Sequence, residues 1–118
     1  VAFCGDGGFQ MTACELATAA EYGIGAIFVV VNNGGLLAIR GSQETAFDGR
    51  TIDTDMQVPH LADMARAMGV RGMRIEGEEG FADAFAEALQ HDGSTVIEVM
   101  MVDRRDEIIS RVPWIHPD

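Results

Sequence analysis

Lysine is absent from this chain: all eight basic residues are arginine, set against 19 acidic ones, for a net charge of −11. That balance argues against nucleic acid and against an anionic membrane as partners. The missing lysine also rules out a Walker A loop, which needs one to reach the phosphates of a nucleotide. Cysteine is scarce. Cys4 and Cys14 have no partner at metal-type spacing and read as buried thiols of a reducing cytoplasm rather than as a disulfide. No apolar run approaches the ~20 residues of a membrane span, no secretory signal is visible, and no repeat or low-complexity segment occurs. At 118 residues the chain is one domain, long enough for a real core.

What the sequence does contain is two apolar runs that end in small polar residues. Val1-Ala2-Phe3-Cys4 and Ala26-Ile27-Phe28-Val29-Val30-Val31 have the character of strands buried on both faces of a parallel sheet. The first ends in Gly5-Asp6-Gly7-Gly8, the second in Asn32-Asn33-Gly34-Gly35. Between them, Met11 to Tyr22 holds good helix formers without Gly or Pro, and Gly23 is placed to stop the helix. The unit is therefore βαβ, with Asp6 and Asn33 at the same edge of the sheet. In open α/β sheets ligands bind at that carboxyl edge, where neighbouring crossovers diverge.

Glycines at 5, 7 and 8 suit a tight turn of unusual φ that a ligand can approach without a Cβ in the way. The turn opens into a helix whose first N–H groups and dipole favour an anion, and a diphosphate suits them. Asp6 alone would repel it. A divalent cation resolves the conflict, because Mg²⁺ takes oxygen ligands from one or two protein groups plus phosphates. Asn33 offers an amide oxygen and the Gly34-Gly35 step a carbonyl, so this site needs no His or Cys. A dinucleotide fingerprint fits poorly: it requires glycine at position 10, where Gln10 stands, and an acid where Asn32-Asn33 stand.

GDG closing one strand and NN closing the next resemble the motif of thiamine-diphosphate-dependent enzymes. The wider runs Gly5-Asp6-Gly7-Gly8-Phe9-Gln10-Met11, Glu15-Leu16-Ala17-Thr18-Ala19, Phe47-Asp48-Gly49-Arg50, Leu61-Ala62-Asp63-Met64-Ala65 and Val96-Ile97-Glu98-Val99 are similar to the acetolactate synthase branch. The resemblance implies thiamine diphosphate and Mg²⁺ as cofactors. It places the metal on the side chains of Asp6 and Asn33 and the carbonyl of Gly35, and the diphosphate on the backbone of Gly5, Gly7 and Gly8, with Gly35 and Leu36 adjoining. Where the family has a bulkier residue after NN, this chain has Gly34-Gly35.

The implied fold is α/β: three layers, a mostly parallel sheet with helices on both faces, as a partial thiamine-diphosphate-binding domain. Family subunits have three α/β domains, so 1–118 reads as a fragment of a larger subunit, without the strand and helix that normally open this domain. The implied activity is decarboxylation and carboligation of 2-oxo acids by an acetolactate-synthase-like enzyme. A 2-oxo-acid decarboxylase or another lyase of the superfamily, or a non-catalytic Mg-diphosphate-binding module, are the alternatives. The glutamate that acts on the cofactor's aminopyrimidine belongs, in the family, to the pyrimidine-binding domain of a neighbouring subunit. No catalytic residue is therefore assigned here, and a homodimer or homotetramer in the cytoplasm is expected, with this chain alone inactive.

Leu36 to Ala46 reads as a helix with Gly41 its weak point, and 47–58 as a loop that is either a lid or a solvated connection. Pro59 starts a helix to Met68, stopped by Gly69. Val70 to Glu76 is a strand, Glu79 to His91 a helix with Phe81, Ala84, Phe85, Ala88 and Leu89 on one face, and Thr95 to Val102 a buried strand. Glu15 reads as a packing or salt-bridge residue, and His60 and His91 as solvated caps. The tail 104–118, with Val112, Trp114, Ile115 and His116, is too apolar for water and docks on another domain or subunit, or covers the cleft.

Overall fold

The computed structural model describes residues 1–101. Four strands, β1 (Ala2–Gly5), β2 (Ile27–Asn32), β3 (Arg71–Glu76) and β4 (Thr95–Met100), form one sheet in the order β1-β2-β4-β3, every pair parallel. Five helices accompany them: α1 (Asp6–Thr12), α2 (Glu15–Glu21), α3 (Leu37–Ala46), α4 (Leu61–Ala67) and α5 (Phe81–Leu89).

Strand alternation sorts side chains onto two faces. Val30 and Val96 meet Phe9, Leu16, Leu61 and Ala65 of α1, α2 and α4 on one face. Ile27, Val29 and Ile97 meet Ala84 and Ala88 of α5 on the other. This is the expected three-layer α/β arrangement. Gly5 pairs with Val31, so Asp6 and Asn32 leave the sheet at the same level.

Several expectations are corrected. The helix expected from Met11 starts at Asp6, with Gly7 and Gly8 inside it. Gly5, Gly7 and Gly8 are not among the positive-φ residues, so no unusual turn occurs there. Extended Gly5 instead leads straight into α1, and the Asp6 carboxylate accepts the Gly7 N–H at 2.8 Å. The helix then tightens at Ala13-Cys14, where Leu16 N–H bonds Ala13 O and Ala17 N–H bonds Cys14 O, three residues back, at 3.1 and 3.2 Å.

β1 is not buried on both faces. It is an edge strand among the described residues, and Phe3 is 69% exposed because α5 packs on β4 and leaves that side of β1 bare. Cys4 is only half-buried and Cys14 is exposed. The crossovers after β1 and β2 do not diverge, since α1, α2 and α4 share one face; the reversal comes after β3. Pro59 precedes the cap residue His60 instead of opening the helix, and Leu89 is 62% exposed, off the buried face. β4 stops at Met100. Val102 and the tail residues Val112, Trp114, Ile115 and His116 lie outside the described residues.

Candidate functional site

Asp6 and the turn after β2 come together as the sequence suggests. Asp6 is 2% exposed, and its carboxylate accepts three backbone N–H groups: Gly7 on Oδ1 at 2.8 Å, Asn33 and Gly34 on Oδ2 at 3.2 and 2.8 Å. These bonds satisfy the buried charge and bind α1 to the turn. Gly34 sits at φ +71°, a conformation glycine adopts without strain.

The two asparagines differ. Asn32 is buried and spent within the fold, donating to Glu98 and accepting from Gly34. Asn33 is half-buried, and its Oδ1 accepts the Gly35 N–H at 3.1 Å.

The loop at 47–58 is neither free nor simply solvated at its far end. Thr54 is 3% exposed; its carbonyl accepts the Leu36 N–H at 2.8 Å, and Met56 N–H bonds Gly34 O at 2.9 Å. Gly35 thereby forms an antiparallel bridge with Asp55, and a Cβ on Gly35 would lie 2.8 Å from the Thr54 carbonyl oxygen. This close approach is what the sequence does not reveal, and it fixes the Gly34-Gly35 step from outside.

The donors fit a hard cation. Asp6 Oδ1 and Asn33 Oδ1 each accept one N–H and retain a lone pair, while no hydrogen bond goes to the Gly35 carbonyl among the described residues. Among those residues no cluster of three or more His, Cys, Asp and Glu exists, so a cation here would be held by one carboxylate and neutral oxygens. Space for an anion also exists: a Cβ at Gly5 or Gly8 would meet nothing within 4 Å.

Two other candidates are less available. A Cβ at Gly7 would lie 2.6 Å from Leu36 Cδ2, so a side chain there would have to displace the end of Leu36. Leu36 uses its N–H on Thr54 and its carbonyl on Arg40, leaving its side chain, not its backbone, to face α1.

Glu15 is exposed, accepts the Thr18 hydroxyl at 3.2 Å and joins no ion pair among the described residues, correcting the packing or salt-bridge expectation. His60 occupies the cap of α4, but its ring meets Arg74 instead of capping. His91 Nδ1 lies 2.9 Å from Gly93 O. A cavity of ≈ 450 Å³ opens beside the turn, with Asn33, Gln57, His60 and Arg74 in its wall. The residue that sequence reading passed over is Glu98, 0% exposed in β4; its signal was a lone charge inside an apolar strand.

The sequence profile of a family described as "Thiamine pyrophosphate enzyme, C-terminal TPP binding domain" matches residues 1–99. The chain is 33% identical to an acetolactate synthase of Arthrospira platensis, covering 87% of this chain and 18% of that protein. It is 31% identical to the acetolactate synthase large subunit of Lactococcus lactis, covering 100% of this chain and 20% of that one. Among solved structures, the thiamine diphosphate-dependent 4-hydroxybenzoylformate decarboxylase of Rhodococcus jostii RHA1 superposes with a TM-score of 0.79 at 33% identity, over 84% of this chain and 19% of that one. The chain thus spans a minor share of the length of each.

Proposed function

Because the chain belongs to the thiamine pyrophosphate enzymes, as their C-terminal TPP binding domain, we propose that it holds Mg²⁺ and the cofactor's diphosphate within an acetolactate-synthase-like enzyme. Asp6, Asn33 and the Gly35 carbonyl ligate the metal in this reading, and the backbone of Gly5 and Gly8 lies against the diphosphate. The observation that carries it is the buried Asp6 carboxylate tied to the Asn33-Gly34 turn. Thiamine diphosphate supplies the chemistry at a bond next to a carbonyl, and this domain supplies binding and orientation.

The substrate is a 2-oxo acid, decarboxylated and then condensed with a second. The pyrimidine-binding domain of a neighbouring subunit completes the site in a homodimer or homotetramer, and the two free thiols are compatible with a reducing cytoplasm. The likeness to the Rhodococcus decarboxylase favours a second reading, decarboxylation without condensation. Calorimetric titration of the full chain with thiamine diphosphate, with and without Mg²⁺, tests the binding reading: affinity should depend on the metal, and affinity indifferent to a chelator would refute it. Product analysis with pyruvate separates the two activities, as a condensed hydroxy acid or a free aldehyde.

A further inference from the structure

We propose that Glu98 is a positioning residue for the metal turn, acting through the side-chain amide of Asn32. The inference rests on the Mg²⁺-diphosphate reading above.

Glu98 is 0% exposed on the face of β4 that carries Val96, beneath α4. Both its oxygens are engaged: Oε1 accepts an Asn32 Nδ2–H at 2.7 Å, and Oε2 accepts the Ala62 N–H at 3.0 Å. Arg74 Nη1 stands 3.9 Å from Oε1 and also meets the His60 ring. A carboxylate buried this deeply costs free energy that an apolar side chain of similar volume would not. What an apolar side chain could not supply is polarity.

Both Glu98 oxygens act as acceptors, so Asn32 turns its NH₂ toward Glu98. Asn32 Oδ1 then faces the Gly34 N–H at 3.2 Å. The same N–H is shared with Asp6 Oδ2 at 2.8 Å. With the amide reversed, an NH₂ would confront the Gly34 N–H and an oxygen would confront the carboxylate. Glu98 therefore sets the orientation of Asn32, Asn32 holds Gly34 at its left-handed φ, and Gly34 places both the Asp6 carboxylate and the Gly35 carbonyl. None of these steps requires Glu98 to touch the metal.

The test is a polarity swap. Glu98→Gln leaves a side chain that can accept from only one of the two partners, so that a donor faces a donor. In the full chain this variant is expected to weaken Mg²⁺ binding, measured by titration at saturating thiamine diphosphate, by roughly 10- to 100-fold, the range for residues that orient metal ligands. Adding Asn32→Asp restores a donor–acceptor match, because the introduced amide can donate to the introduced carboxylate while still accepting from the Ala62 N–H. The double variant should recover most of the lost affinity, a result that general loss of packing would not give.

Wild-type protein that fails to bind Mg²⁺ with the cofactor refutes the functional reading itself. Wild-type binding with an unchanged Glu98→Gln, or a folded double variant no better than the single one, overturns the role of Glu98 alone. Should neither variant fold, the Asn32 side-chain amide signals of ¹⁵N-labelled wild type decide the matter. They should shift and exchange more slowly when Mg²⁺ and cofactor are added, and signals that do not move overturn the proposal.

Discussion

Asp6 Oδ2 accepts the Gly34 N–H at 2.8 Å, joining the start of α1 to a turn 28 residues away. The bond fixes the shape of the turn, and in the proposed reading the same carboxylate also offers its charge to a cation.

Asp6→Ala should therefore abolish Mg²⁺-dependent cofactor binding and also leave the Gly7 and Asn33 N–H groups without their acceptor, with the Gly34 N–H held by Asn32 Oδ1 alone. Loss of a satisfied buried acceptor costs about 1–3 kcal/mol, which denaturant unfolding would read beside the calorimetric titration. Normal cofactor affinity in this variant would sink the metal assignment. Glu15→Gln, an exposed change on α2, should leave binding intact.

Gly7→Ala places a Cβ against Leu36 Cδ2, while Gly93→Ala meets only the His91 ring, the far end of an exposed side chain. Cofactor binding should weaken in the first variant and not in the second. Adding Leu36→Ala to Gly7→Ala makes room for the new methyl; recovery of affinity would show that the defect is in the chain's own packing, and persistent loss that the diphosphate itself needs the space.

Gly72→Ala drives a methyl into the backbone of Ala62, the residue whose N–H holds Glu98. Overpacking of this kind costs about 1–3 kcal/mol or more. Thermal unfolding should show the loss, and because α4 is displaced from Glu98, Mg²⁺ affinity should fall with it.

Burial raises the pKa of the Cys4 thiol, while Cys14 is exposed. Thiolate is the reactive form, so a thiol reagent at mildly alkaline pH should label Cys14 first and Cys4 slowly, with Cys4 catching up only as pH rises. Mass-resolved labelling that finds Cys4 faster would contradict the described burial.

β1 presents an open edge among the described residues with Phe3 exposed beside it. Such edges promote association. The 118-residue chain alone should self-associate in light scattering, and Phe3→Glu should shift it toward monomer. A wild-type chain that is already a clean monomer would refute this.

Much of this arrangement was legible in the residues. Apolar runs at β1 and β2 and the small polar, glycine-rich steps closing them located Asp6 and Asn33. The helical state of Gly7 and Gly8 was not legible, since glycine disfavours helix by about 1 kcal/mol each. The tie between Asp6 and the distant turn overrides that preference. What Asn32 does was not legible either: its role follows from the register that sets it beside the strand of the buried Glu98. The bridge between Gly35 and Asp55 depends on an approach between segments that carry no periodic signal.

The Asn33-Gly34 peptide has a chemical lifetime as well as a shape. An asparagine before glycine ages when the following backbone nitrogen attacks the side-chain carbonyl carbon and expels ammonia, closing a succinimide that opens to aspartate or isoaspartate. Here that nitrogen's hydrogen is held by Asp6 Oδ2 and Asn32 Oδ1, so the nucleophile is tethered away from its target. The folded protein should accumulate isoaspartate at position 33 slowly and the unfolded chain quickly, with Asp6→Ala between them, as peptide mapping over weeks of storage would record. The contacts that join the turn to Asp6 and Asn32 are thus also what keeps Asn33 from ageing into a different residue.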